Sequence, residues 1–243
     1  MNMHQDMAYS LNILGDVHTY QGRYEEAIVI HKEVLTMRRE LLGSDHLDVA
    51  VTLHNIASTL LSQERYTEAE AMFREALRLW KKLFGNENRE VGNTLSQMAF
   101  VVGRQGRYEE SEAMQLEAIS ILRRVFGDEH PTIASSFARL ARLRAEQGRY
   151  AEAEAAYRQC LAMDRRLLGD EHPDIAQGLA RVGTYVWKQG RYKEAEGLLL
   201  KSYQLSNSLS RSNKELKELA KTSLVDLYEA WGRPEEVKKY TKR

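Results

Sequence analysis

The sequence predicts an all-α fold, a right-handed α-solenoid of antiparallel helix hairpins, on three observations. The string Gln21-Gly22-Arg23-Tyr24-Glu25-Glu26-Ala27 returns in related form at Gln63, Gln105, Gln147, Gln189 and Trp231, each start 42 positions after the last. A fixed period of this size marks a repeat array, in which every unit buries its apolar face against its neighbours. Apolar-periodic segments flank each copy of the string, so its first four residues are the turn inside a helical hairpin. Small residues also recur at facing positions: Gly15, Ala57, Ala99, Ala141 and Gly183 before the turn, and Ala27, Ala69, Ser111, Ala153 and Ala195 after it.

The copies span residues 4–45, 46–87, 88–129, 130–171 and 172–213, with a degenerate sixth at 214–243, and are expected to form a single array over 4–243. Helix A of the first copy is expected at about 6–20 and helix B at about 24–41. The small residues set the close crossing of helix A on helix B. Leu14, Ile56, Met98, Leu140 and Val182, with Phe73 or Tyr157 opposite, fill the remaining volume. Five copies carry glycine in the turn, where the chain must leave the helix. The second has Glu64, which predicts either a turn strained by up to about 1 kcal/mol or a different geometry.

Helix B begins with acids such as Glu25, Glu26, Glu109 and Glu110, and ends with bases such as Arg38, Arg39, Arg123 and Arg124. That order complements the helix dipole and is read as structural. Each helix B then stops at a glycine, Gly43, Gly85, Gly127 or Gly169, followed by segments such as Asp128-Glu129-His130-Pro131. Pro131 and Pro173 suit the first turn of the next helix A. The Asp-Glu-His clusters contain metal-ligand types, but asparagine replaces the histidine at Asn88, as a capping position tolerates and a metal site does not. His18, His31 and His54 form no i, i+4 pair and are expected to be placed by chance.

After Leu205 the pattern falters through Ser206 to Asn213, which reads as a looser connection. In the sixth copy the small pair becomes Val225 and Val237, Pro234 replaces the tyrosine, and the lysine-rich end suits a solvating cap.

These features resemble the tetratricopeptide repeat, and the 42-residue spacing is similar to the kinesin light chain variety rather than the ordinary 34-residue one. The resemblance covers roughly residues 4 to 205.

Composition narrows the function. With 35 basic and 35 acidic residues the net charge is zero, so nothing global points to nucleic acid or an anionic membrane. Cys160 is the single cysteine and is read as a small buried hydrophobe. The start Met1-Asn2-Met3-His4 lacks the pattern of a secretory signal, and a cytoplasmic location is expected. Phosphate loops, Gly-x-Ser-x-Gly, Cys-x-x-Cys and His-Glu-x-x-His are all missing. No enzyme, cofactor or metal site is expected.

The A helices are expected to line a concave groove that binds an extended segment of a protein partner. Groove positions read from the family register include Asn12, Asn55, Gln97, Arg139, Arg142, Arg181 and Thr184, with Lys188 one turn further on and Arg104 near the arginines. Guanidinium groups on one wall would favour acidic partners. Asn55 stands in Thr52-Leu53-His54-Asn55-Ile56-Ala57, similar to the Thr-Leu-Asn-Asn-Leu-Ala string of kinesin light chains. That resemblance implies a peptide-facing asparagine and acidic peptides with an aromatic anchor, although Ile13, Gln97, Arg139 and Arg181 replace the asparagine in the other copies. Two alternatives accompany this reading: a homodimer through the uncapped first hairpin, with Tyr9, Leu11 and Tyr20, or the sensor half of a larger regulator.

Overall fold

The computed structural model describes residues 3–209 and 214–241, and every element in them is helical. The helices are α1 (Met3–Tyr20), α2 (Tyr24–Leu42), α3 (Leu47–Ser62), α4 (Tyr66–Phe84), α5 (Arg89–Arg104) and α6 (Tyr108–Phe126). They continue as α7 (Pro131–Glu146), α8 (Tyr150–Leu168), α9 (Pro173–Trp187), α10 (Tyr192–Ser208), α11 (Lys214–Ala230) and α12 (Pro234–Thr241). Odd-numbered helices are the A helices and even-numbered ones the B helices of an α-solenoid of antiparallel hairpins.

The helices gather into two compact units, Met1–Gly127 and Asp128–Arg243. In the first, α1 pairs with α2, α3 with α4 and α5 with α6, and each B helix also packs on the following A helix, α2 on α3 and α4 on α5. The second repeats the scheme with α7–α8, α9–α10 and α11–α12, joined through α8 on α9 and α10 on α11.

The turn string has a common geometry. Gly106 N donates to Gly103 O at 2.9 Å and Arg107 N to Val102 O at 3.2 Å, the paired bonds of a Schellman stop. Glu64 adopts it as well: its φ is +59°, and Arg65 N still reaches Leu60 O at 2.9 Å. Of the two expected outcomes, the strained one is observed. The side chains of the string lock successive copies together. Gln105 Nε2 and Arg107 Nη1 both reach the buried Glu70 of the preceding helix B, each at 2.9 Å. Gln189 and Arg191 do the same to Glu154, each at 2.7 Å. Between the first and second copies Ile28 stands in the glutamate's place, and Gln63 turns to Glu25 instead.

The small positions are closed, with Ala27, Ala57, Ala69, Ala141, Ala153 and Ala195 fully buried. Ser111 fits among them because its hydroxyl donates to Ala99 O at 2.6 Å. His31 corrects the expectation of chance placement. It occupies the position filled elsewhere by Phe73, Gln115, Tyr157 and Leu199, and it is fully buried. A Cβ on Gly15 would stand 2.6 Å from its ring, so this pair requires glycine where the second, third and fourth copies hold alanine.

The linker histidines are helix caps. His46, His130 and His172 each accept from the amide two residues on at 3.2 Å, and Asn88 does so at 2.7 Å, which explains the exchange of histidine for asparagine. No group of three or more metal-ligand side chains occurs among the described residues. The expected loose connection falls partly on residues 210–213 and the basic end partly on 242–243, which lie outside the described residues; α10 itself continues through Ser208. No described helix is long and apolar enough to cross a membrane.

Candidate functional site: the walls of the A helices

In the first unit the polar positions of the A helices meet in a ladder. Asp16 of α1 accepts from Asn12 Nδ2 at 3.1 Å and from Asn55 Nδ2 of α3 at 3.0 Å. One repeat on, Gln97 Nε2 of α5 stands 3.0 Å from His54 Nε2, and Ser58 Oγ donates to Gln97 Oε1 at 3.4 Å. Asn12, Asn55 and Gln97 are thus half-buried, Asn55 and Gln97 bonding across to a neighbouring A helix and Asn12 within its own. Burial raises the Asp16 pKa, and the Arg38 charge partly offsets that.

In the second unit Arg139 and Arg142 of α7 and Arg181 of α9 are exposed. Arg142 Nε lies 3.8 Å from Glu146, and Arg181 makes no hydrogen bond or ion pair among the described residues. Although the Arg139 side chain reaches solvent, neighbouring protein partly desolvates it, and this, followed by the like charge of Arg142, lowers its pKa. Burial raises the Tyr185 hydroxyl, while Arg181 and Arg142 pull it down, so guanidinium groups from two A helices act on one tyrosine. Thr184 is half-buried, and its hydroxyl donates to Ala180 O at 2.9 Å. Lys188 lies with Nζ 4.2 Å from the Trp187 ring centroid. Arg104 of α5 donates from Nε to the Tyr66 hydroxyl at 3.2 Å.

Pockets open along these walls. One of about 350 Å³ lies between α3 and α5 over Trp80, with Asn55 and the half-exposed Phe84 in its lining. It is the apolar member of the set, with Leu47 and Val51 completing the hydrophobic wall. Sequence reasoning missed Trp80 and Arg38 because both look like ordinary helix B positions. The available signal was that this position changes character in every copy: Arg38, Trp80, Leu122, Asp164 and Ser206.

The tetratricopeptide repeat model matches residues 6–82, 90–166 and 139–208. Among solved structures, BtubC (BKLC) from P. vanneervenii is similar at a TM-score of 0.75 and 19% identity, covering 84% of this chain and 86% of that one. A Podosopora anserina kinesin light chain with nearly identical TPR-like repeats gives 0.74 at 20% identity, covering 87% and 100%. A Rap protein complexed with Competence and Sporulation Factor gives 0.66 at 14%, covering 96% and 71%. No curated protein sequence matches the chain. With hairpins, turn stops and caps recurring in register, and with the family model spanning most of its length, the chain belongs to the tetratricopeptide repeat family.

Proposed function

We propose that this protein is a non-catalytic interaction module of the cytoplasm, a single array whose A-helix walls receive an extended, acidic segment of a protein partner. The observation that carries the reading is the set of exposed guanidinium groups Arg139, Arg142 and Arg181 on α7 and α9. A partner carboxylate is favoured there because charge-assisted bonds to arginine are strong and bidentate. The apolar pocket beside Asn55 supports an aromatic anchor in a partner segment. The Rap relative, crystallised with Competence and Sporulation Factor, supports the use of this fold to hold a ligand.

The test is fluorescence anisotropy with extended peptides that differ only in charge, against the wild-type chain and the R139E/R142E/R181E variant. Acidic peptides are expected to bind the wild type and to lose at least about tenfold in affinity on the variant, with basic peptides gaining. Indifference of the wild type to peptide charge would remove the acidic preference.

Self-assembly is favoured by a different observation. On α1, Met7, Leu14 and Val17 are exposed by 46%, 43% and 42%, whereas Val49, Ile56 and Thr59 at the same positions of α3 are buried under α2. The alternative that follows is a homodimer through this face. Leu11 contributes less than the sequence suggests, being half-buried, while Tyr9 and Tyr20 are open. Light scattering over a concentration series tests it, a concentration-independent monomer being the opposing result.

A further inference from the structure

The pocket over Trp80 has counterparts at the same place in other repeats, between the amino-terminal halves of consecutive A helices, with a helix B residue as the floor. One of about 540 Å³ lies between α1 and α3 with Arg38 in its lining, and one of about 290 Å³ lies between α7 and α9 with Asp164. The lining corresponds position by position: Tyr9 with Ser135, Leu42 with Leu168, and Asp48 with Asp174. The floor position is the one that differs in every copy, and Trp80, Leu122 and Ser206 fill it without charge. Hairpin packing therefore does not require a cation at Arg38.

Arg38 is nevertheless buried, with 7% of its surface exposed. Nη1 donates to Asp48 O at 3.1 Å and to Thr52 Oγ1 at 2.6 Å. No carboxylate of the described residues pairs with it, and Nε and Nη2 find no acceptor among them. Burial pushes its pKa down, and the charges of Asp48 and Asp16 only partly restore it. A buried guanidinium is ordinarily paired, because an uncompensated buried charge is costly. Here two edges of the fork are left for something that enters from the pocket. Asp6 and Asp48 also line the pocket, and they select against an occupant carrying more than one negative charge.

We infer that the pocket floored by Arg38 is a binding site for a single carboxylate, carried by an acidic side chain or chain end of a partner or by a free small acid. The fork geometry of Arg38 suits bidentate contact, and the neighbouring Asp6 and Asp48 exclude phosphate monoesters and other polyanions. The site is separate from the arginines of α7 and α9, so each can fail without the other.

The test uses the full chain labelled in arginine, following the Arg38 Nε–H resonance, assigned by its loss in R38K. Acetate, an acetylated and amidated peptide with one internal aspartate, acetamide and inorganic phosphate are titrated in turn. A saturable shift with the carboxylates, unaltered in R139E/R142E/R181E and absent with acetamide and phosphate, is expected. A peptide binding at least tenfold tighter than acetate identifies a partner chain as the source, and equal affinities identify a free small acid. No carboxylate response, or an equal response to acetamide or phosphate, overturns the inference. As a second readout, R38M, with an apolar side chain as at Leu122, is expected to keep its helical circular dichroism and bind the carboxylate probe at least tenfold more weakly, and undiminished binding would also overturn it.

Discussion

Arg107 Nη1 donates to both carboxylate oxygens of Glu70, at 3.0 and 2.9 Å, across the boundary between the second and third copies. Glu70 also accepts from Gln105 and pairs with Arg74 on its own helix. The recurrent Gln-Gly-Arg string is thus a turn and a clamp at once: glycine reverses the chain, and the residues on either side of it reach back to the preceding helix B.

Burial alone would raise the Glu70 pKa, but the hydrogen bonds from Gln105 and Arg107 and the charges of Arg107 and Arg74 outweigh it and leave the pKa below 4.5. A carboxyl group whose pKa is lowered on folding stabilises the fold above its unfolded pKa, and that stability is lost as pH falls through the folded value. E70Q is expected to cost about 1 to 2 kcal/mol near pH 7, a figure discounted for the partial exposure of Arg107, and the difference from wild type should shrink below pH 4.5. Urea denaturation at pH 7 and pH 3.5 measures both values.

Two kinds of backbone reversal differ in what they tolerate. Glu64 holds φ +59° in a turn that five other copies build with glycine, whereas the linker glycine Gly85 combines φ +78° with ψ 179°. The first conformation is open to non-glycine residues at moderate strain. The second is restricted to glycine. E64G is expected to stabilise the chain by up to about 1 kcal/mol, and G85A to destabilise it by about 1 to 3 kcal/mol. Thermal melts of the two variants should therefore move in opposite directions.

The hairpins, their stops and their small crossing residues are legible in the sequence because the copies repeat backbone requirements. Gly22, Ala27 and Ala57 recur because the chain must turn and the helices must touch, and such needs do not change from one hairpin to the next. The linker His and Asn are legible as caps for the same reason. The bonds of the A-helix polar residues were not legible: Asp16 joining Asn12 to Asn55 depends on how α1 meets α3, which no local pattern states. Arg38 and His31 stayed hidden for the opposite reason. Each breaks its own column, and a column that varies resembles solvent-facing freedom until packing shows both side chains buried.

Cys160 illustrates how burial changes chemistry. It is 4% exposed and its thiol donates to Asp164 Oδ2 at 3.3 Å. Burial, followed by the charge of Asp164, raises the thiol pKa well above the usual range, so thiolate is scarce at neutral pH. The native chain is expected to react with a disulfide reagent at least about a hundredfold more slowly than glutathione at pH 7.5, reaching the same rate only in denaturant. Rapid labelling of the folded chain would show that the hairpin opens on the timescale of the assay.

His31 makes the first hairpin acid-sensitive. Burial, aided by the charge of Arg38, pushes its pKa from 6.5 down to about 4, so the ring is neutral in the folded chain. Asp16 on α1 faces it at 3.5 Å from Nε2, and Arg38 acts on it from α2. Because protonation is easier once the hairpin opens, the stability associated with the neutral ring is complete above pH 6.5 and declines as pH falls toward 4. Between pH 7 and pH 5 that loss is about 2 kcal/mol, and Asp16, whose own pKa burial raises, opposes it as its carboxylate takes up a proton. H31Q places at this site the residue found in the third copy, where Gln115 bonds Ser96 at 3.0 Å, and removes the titrating group. Hydrogen exchange of the α1 and α2 amides, corrected for intrinsic rates, should show protection falling between pH 7 and pH 5 in the wild type and staying level in H31Q. Parallel loss of protection in both proteins would place the acid sensitivity elsewhere.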